Sequence, residues 1–159
     1  MKIALTGHTK RFGKHIKKYL EDKGHTVIGF SRSNGYNINY DYKKIALESA
    51  ECDMFINNTS SYDGQARILI EYYNLYKDTD KTIVCIGTEI TKYPNTKHLH
   101  EYLNKKSLLD MVNLFKNKGL NIKYLSWGYW KCDITDDHPE LLDPTTMEEA
   151  LNEILDTNS

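Results

Sequence analysis

Two groupings of residues in the sequence have types and spacings suited to chemistry. The stretch from Thr6 to Gly13, TGHTKRFG, gathers two glycines and the basic residues Lys10 and Arg11 in one short turn, with Lys14 directly after it. Glycine lets a strand turn sharply and lets the helix that follows pack closely. The first N–H groups of such a helix are free and lie at its positive dipole end, which suits a diphosphate. The second grouping is a tyrosine four residues before a lysine, found at Tyr19/Lys23, Tyr40/Lys44, Tyr73/Lys77, Tyr93/Lys97 and Tyr102/Lys106. Residues so spaced share one face of a helix. A phenol, with a pKa of about 10, becomes a usable proton donor near neutrality when an ammonium beside it lowers that value, and such a donor suits a carbonyl being reduced. In a chain with 12 tyrosines the spacing alone selects none of the pairs.

The elements that would position these groups follow from hydrophobic patterning. Short apolar runs bounded by turn residues occur at 2–7 (KIALTG), 26–31 (TVIGFS), 53–58 (DMFINN), 82–87 (TIVCIG) and 122–128 (IKYLSWG). This is the pattern of strands buried on both faces. Between them Phe12, Ile16 and Leu20 share a helix face that ends near Gly24, and Leu108, Leu109, Val112 and Phe115 share another before Gly119. Met147, Ala150, Leu151, Ile154 and Leu155 define a last helix, entered through Pro144 and Thr145. Residues 66–76 are apolar almost all round, which suits a helix pressed between a sheet and a further surface, with a homodimer as the expectation. Alternating strands and helices predict an α/β fold: a doubly wound parallel sheet, Rossmann-like, in three layers with about five to six strands, over a single domain 1–159. In such a sheet TGHTKRFG is the first strand-to-helix turn, where phosphate binds. The second strand ends in Phe30-Ser31-Arg32-Ser33, with no carboxylate for a ribose diol. An arginine there accommodates a 2'-phosphate, which favours NADP (NADPH) over NAD.

Composition narrows the classes of function. Hydrophobic residues make up 40% of the 159, charged residues 27%, and the net charge is -1, so there is no electrostatic footprint for nucleic acid. No apolar run approaches the roughly 20 residues of a membrane span. The N-terminus runs straight into a strand, unlike a signal peptide, and a cytoplasmic location is expected. Cys52, Cys85 and Cys132 read as reduced structural thiols. His98 and His100 offer two imidazoles, too few for a metal site, and none is expected.

Taken in order, these features resemble the short-chain dehydrogenase/reductase family. TGHTKRFG resembles its TGxxxGxG turn, with Arg11 where a glycine stands, and Ser31-Arg32 resembles its NADP-selecting strand end. Ile56-Asn57-Asn58 resembles the Asn-Asn-Ala-Gly strand end, and 83–88 (IVCIGT) resembles the strand that delivers the catalytic serine, with Thr88 in its place. Residues 122–130 resemble the strand ending in Pro-Gly beside the nicotinamide, with Trp127 at the proline and Gly128 retained. The resemblance also selects Tyr102/Lys106 among the five pairs, 14 residues past Thr88. It implies that Gly7, Thr9, Lys10, Arg11, Phe12, Gly13, Ser31, Arg32, Asn57, Asn58, Thr59 and Gly128 bind the cofactor. It further implies Tyr102 as acid/base, Lys106 as the ammonium beside it, and Thr88 as the hydroxyl that orients the substrate.

The expected activity is NADP-dependent hydride transfer to or from a small carbonyl or alcohol substrate. Departures from the family pattern keep two other readings open. Arg11 narrows or recharges the turn, only one helix fits between Asn58 and Ile83, and the substrate region is reduced to about 89–100 and 131–144. A non-catalytic NADP-binding module is one alternative. The other is a sugar-nucleotide modifying enzyme of the extended branch, which MKIALTG, GHTVIGFSR and GYNINYDYKK resemble.

Overall fold

A computed structural model describes residues 1–59, 63–88, 99–127 and 144–157. Strands form at the five apolar runs: β1 (Lys2–Thr6), β2 (Thr26–Phe30), β3 (Met54–Asn57), β4 (Thr82–Thr88) and β5 (Ile122–Trp127). The helices are α1 (Arg11–Asp22), α2 (Ile38–Glu48), α3 (Gly64–Tyr76), α4 (Leu99–Asn117) and α5 (Pro144–Thr157). All pairings are parallel and the strand order is β2-β1-β3-β4-β5. The winding therefore reverses between β1 and β3, which is where sheets of this kind hold ligands at their carboxyl edge.

Alternation along each strand divides the core into two layers. Ile3 and Leu5 of β1 face Ile16 and Leu20 of α1 and Met147, Leu151 and Ile154 of α5. Ala4 faces the other way, into a cluster with Ile45 of α2, Ile68, Leu69 and Tyr72 of α3, and Leu108, Val112 and Phe115 of α4. On β4 the same alternation sends Val84 and Ile86 to the first layer and Ile83 and Cys85 to the second. Each fully buried Leu, Ile or Phe contributes about 1.5–3 kcal/mol, so these two layers are the main source of stability. Cys52 and Cys85 are free and buried, as small hydrophobes of the core, and Cys132 lies outside the described residues.

The sequence pattern does not mark α2, because NYDYKK is polar and aromatic. Its start is specified by capping instead. The Asn39 N–H donates to Asn37 Oδ1 at 3.1 Å, and the Asn37 N–H donates to Asp41 Oδ2 at 2.8 Å. This reciprocal cap satisfies two N–H groups at the helix start, and Ile38, Ile45 and Ala46 bury the inner face. On α3, Tyr72 stacks against Phe55 with ring centroids 4.4 Å apart and its hydroxyl meets that of Ser49, whereas Ile70 and Leu75 stay exposed. No described helix is long and apolar enough to cross a membrane.

Candidate nucleotide site

The β1–α1 turn is shaped by what its glycines lack. Gly7 has φ +68°, and a Cβ placed on it would lie 2.8 Å from Thr59 Oγ1. A Cβ on Gly13 would lie 1.8 Å from the Gly7 carbonyl oxygen, so α1 packs onto the turn only with hydrogen at that position. Thr6, fully buried, holds β1 and β3 together at the point of reversal. Its Oγ1 accepts from the Asn58 N–H at 3.0 Å and the Thr59 N–H at 3.1 Å, while Asn58 Nδ2 donates to the Thr6 carbonyl at 3.2 Å. Lys10 at the N-cap provides no side-chain cap and the first turn of α1 carries no acidic residue. The positive end of the helix is thus left for an anion.

Arg11 stands where the TGxxxGxG pattern has a glycine, and its backbone takes a conformation that favours glycine. Its φ of +47° lies in the left-handed region, which costs an L-residue other than glycine about 1–2 kcal/mol. The position keeps the backbone of a glycine and bears the strain of an arginine, whose side chain is exposed. Beside it the His8 ring covers Gly29, where a Cβ would come within 2.3 Å. Burial, reinforced by Lys17 and opposed by Glu21, lowers the His8 pKa.

A cavity of about 930 Å³ opens over this turn. One rim is the turn and the end of β2: Gly7, Thr9, Lys10, Ser31, Arg32, Ser33 and Thr59. The loop after β2 is braced from within. Asn34 Oδ1 accepts from the Ser31 N–H at 2.8 Å, Asn34 Nδ2 donates to the Gly29 carbonyl at 2.8 Å, and the Ser31 and Ser33 hydroxyls are 2.6 Å apart. Ser31 is consumed by this brace, and Arg32 is left exposed at its crest. An apolar and amide wall follows from Phe30, Tyr36, Asn37, Ile38, Asn39 and Ile45. The wall was not anticipated, because it depends on α2; the Asn37 cap is the sequence signal that could have revealed it.

The far rim comes from α4, through Glu101, Asn104 and Lys105. Lys105 is 4% exposed, and its Nζ donates to Gln65 Oε1 at 2.5 Å. Burial lowers its pKa to about 8 against the opposing pull of Glu101. Lys106, one residue on, is turned to the surface with Nζ 3.1 Å from Asp110 Oδ1, and Tyr102 is half-buried and does not line the cavity. Helix phase accounts for this. The buried series Phe115, Val112 and Leu108 continues backwards to Lys105, not to Lys106.

Of the residues singled out for the cofactor, the cavity gathers Gly7, Thr9, Lys10, Ser31, Arg32 and Thr59. Gly13 and Asn58 act one step behind, by shaping the turn. Arg11 and Phe12 start α1 outside the lining. Asn57, fully buried, is turned toward α3, where its Nδ2 donates to the Gln65 carbonyl at 2.8 Å. Thr88 ends β4 opposite Trp127, and Gly128 lies outside the described residues with 89–98 and 128–143.

Sheet and turn together define a doubly wound α/β domain with a diphosphate-type turn at its point of reversal. No protein-family model matches the chain, and no curated protein matches it by sequence. Solved structures do match over nearly its whole length. A short-chain dehydrogenase from Burkholderia cenocepacia in complex with NADP is 11% identical with a TM-score of 0.77, over 98% of this chain and 84% of that one. The 3-alpha-hydroxysteroid dehydrogenase from a Pseudomonas species, complexed with NADH, is 14% identical with a TM-score of 0.74, over 98% and 89%. UDP-N-acetylglucosamine 4-epimerase from Bacillus cereus is 20% identical with a TM-score of 0.70, over 99% and 74%. The chain has the fold of the short-chain dehydrogenases/reductases, as the ordered motifs led one to expect.

Proposed function

We propose that the chain binds NADP in this cavity and works as an oxidoreductase of the short-chain dehydrogenase/reductase type on a small carbonyl or alcohol. The observation that carries the reading is the turn at Gly7 and Gly13, where a Cβ on Gly13 would lie 1.8 Å from the Gly7 carbonyl oxygen and one on Gly7 2.8 Å from Thr59 Oγ1. A turn stripped of side chains and set at an uncapped helix start leaves room for a diphosphate. Arg32 and Ser33 at the end of β2, with no carboxylate beside them on that rim, favour the 2'-phosphate of NADP. Tyr36, Ile38 and Ile45 offer an apolar slot for the base.

When bound, the nicotinamide supplies or takes the hydride. The chain's own part is placement and the proton. Tyr102, in the first turn of α4, gives the proton to the substrate oxygen or takes it back. Lys105, three residues on and facing the cavity, supplies the positive charge near it, since Lys106 is engaged by Asp110. Thr88, at the carboxyl end of β4, orients the substrate oxygen.

Titration with NADPH and NADH followed by thermal shift tests the binding step, with a larger stabilisation by NADPH expected. No shift with either at millimolar concentration sinks the reading. For the chemistry, Tyr102→Phe keeps NADPH binding and lowers turnover of a responsive aldehyde or ketone by about 10²–10⁴-fold. The match to an epimerase favours one second reading, a sugar-nucleotide enzyme. Its sign is retention of a nucleotide sugar with no net consumption of cofactor.

A further inference from the structure

His8 stands at one of the unspecified places of the TGxxxGxG pattern, yet its ring occupies a gap that the sheet leaves open. Val27 of β2 packs into the layer beside α1, and Gly29, two residues on, faces the same way with no side chain of its own. The His8 ring lies in that gap, where a Cβ on Gly29 would come within 2.3 Å of its Cγ and Nδ1 and 2.5 Å of its Cδ2. Next to it in the chain, the Gly7 N–H donates to the Phe30 carbonyl at 2.8 Å. One ring and one backbone bond thus seat the turn on β2, directly before Thr9 and Lys10 of the cavity rim.

The gap suits an uncharged ring. His8 Nδ1 is buried and has no hydrogen-bond partner among the described residues. An imidazolium carries N–H on both nitrogens, so a charged His8 would bury a donor without an acceptor. The charged groups that face the ring come from α1: Lys17 opposes a proton on His8 and Glu21 favours one. Lys17 Nζ donates to Glu21 Oε1 at 2.8 Å, so the carboxylate is already engaged. β2 presents only Val27 and Gly29, which do not titrate.

We propose that the His8 ring is a pH-sensitive plug: uncharged, it fills the gap over Gly29 and holds the β1–α1 turn in the shape that takes the diphosphate of NADP; protonated, it leaves the gap and the site loosens. The inference rests on the nucleotide reading of the cavity. Its direction follows from linkage. Seated, the ring has a pKa below its ordinary 6.5, and displaced into water it returns to that value. As pH falls through 6.5 the displaced ring takes up a proton that the seated ring refuses, so the displaced state gains and NADP affinity falls.

The test uses the full chain with 13C-labelled histidine, at pH values about one unit either side of 6.5, and reads NADP affinity and the His8 ring signals by NMR. The parent is expected to lose up to about tenfold in affinity at the acid value relative to the alkaline one. His8→Phe fills the gap with a ring that takes no proton, and it keeps only the pH dependence of the ligand's own phosphate. Gly29→Ala puts a methyl group where the ring lies. At the alkaline value it is expected to bind as weakly as the parent does in acid, with the His8 midpoint back at 6.5. A pH dependence in His8→Phe equal to the parent's, or a His8 midpoint in Gly29→Ala as low as the parent's, overturns the proposal. The first of these decides even if Gly29→Ala does not fold. If the parent binds no NADP, the nucleotide reading fails by itself, and the free protein still decides on the plug. Protection of the Gly7 N–H from hydrogen exchange then falls below the His8 midpoint; protection that ignores the midpoint overturns the plug as well.

Discussion

The two rims of the cavity are built from different material. At the β1–α1 rim the working surface is backbone, bared by Gly7 and Gly13 and held by Thr6 and Asn58. At the α4 rim it is a buried side chain, Lys105, held by Gln65 from another helix and through it by the ends of β3 and β4. The first rim is made by atoms that are absent, so it is vulnerable to any atom added. The second is made by polar groups in a dry place, so it is vulnerable to any group removed or any change of charge.

The largest expected effect is at the backbone rim. Gly13→Ala puts a methyl group 1.8 Å from a carbonyl oxygen with no flexible side chain to yield. Overpacking of this kind costs about 3 kcal/mol or more here. A melting curve and an NADPH titration should show both stability and binding lost; a stable, binding variant would break the comparison at its stronger end.

The side-chain rim should respond to pH instead. The Lys105 amine falls from its ordinary 10.5 to about 8 in the fold. Between those values the unfolded chain keeps the proton that the folded chain releases, so this group makes stability rise with pH, by up to about 1.4 kcal/mol per pH unit. Cys85 has the opposite sign, because its thiol is raised from 9.0 to about 12 and stability falls as the unfolded thiol ionises. The measurement is therefore the difference between denaturation curves of the parent and Lys105→Met at successive pH values. That difference grows in favour of the parent above about pH 8; a flat difference removes the buried amine from the account.

Arg32→Ala is smaller. Loss of a charge-assisted contact to the 2'-phosphate weakens NADPH by about 10- to 100-fold and leaves NADH unchanged. Equal loss of both cofactors would move Arg32 from selecting the cofactor to shaping the loop. Least of all is Arg11→Gly, which relieves a left-handed arginine at the cost of a more flexible unfolded chain. A net gain of up to about 1 kcal/mol and a rise of about 2–4 °C in melting temperature are expected. A loss of stability would mean that the arginine side chain contributes more than its backbone costs.

The same contrast explains how much of the molecule can be read from its residues. The five strands and the faces of α1, α4 and α5 follow from apolar spacing, and each forms where the spacing puts it. The turn is equally legible, because Thr6, Gly7 and Gly13 are neighbours in the chain. α2 is not, since its start depends on the Asn37 and Asp41 cap and its inner face on three scattered residues. Without α2 the wall from Tyr36 to Ile45 could not be anticipated. At α4 the signal was present in the phase of Leu108, Val112 and Phe115, which leads to Lys105, whereas matching the family motif leads to Lys106.

Amino-acid order was enough to specify the alternation of buried strands and helices, the parallel sheet, and a phosphate-type turn between Gly7 and Gly13, whereas the positive φ at Arg11 came from the folded chain. These features depend on short-range rules: side-chain period, backbone freedom at glycine, and capping. Only the folded chain decided that the β2 strand end is braced by Asn34, that Asn57 faces α3 rather than the cavity, and that Lys105 is the amine on the inside. Those outcomes turn on about 100° of rotation per helical residue and on which strand ends a crossover brings together. Neither quantity is carried by a local motif.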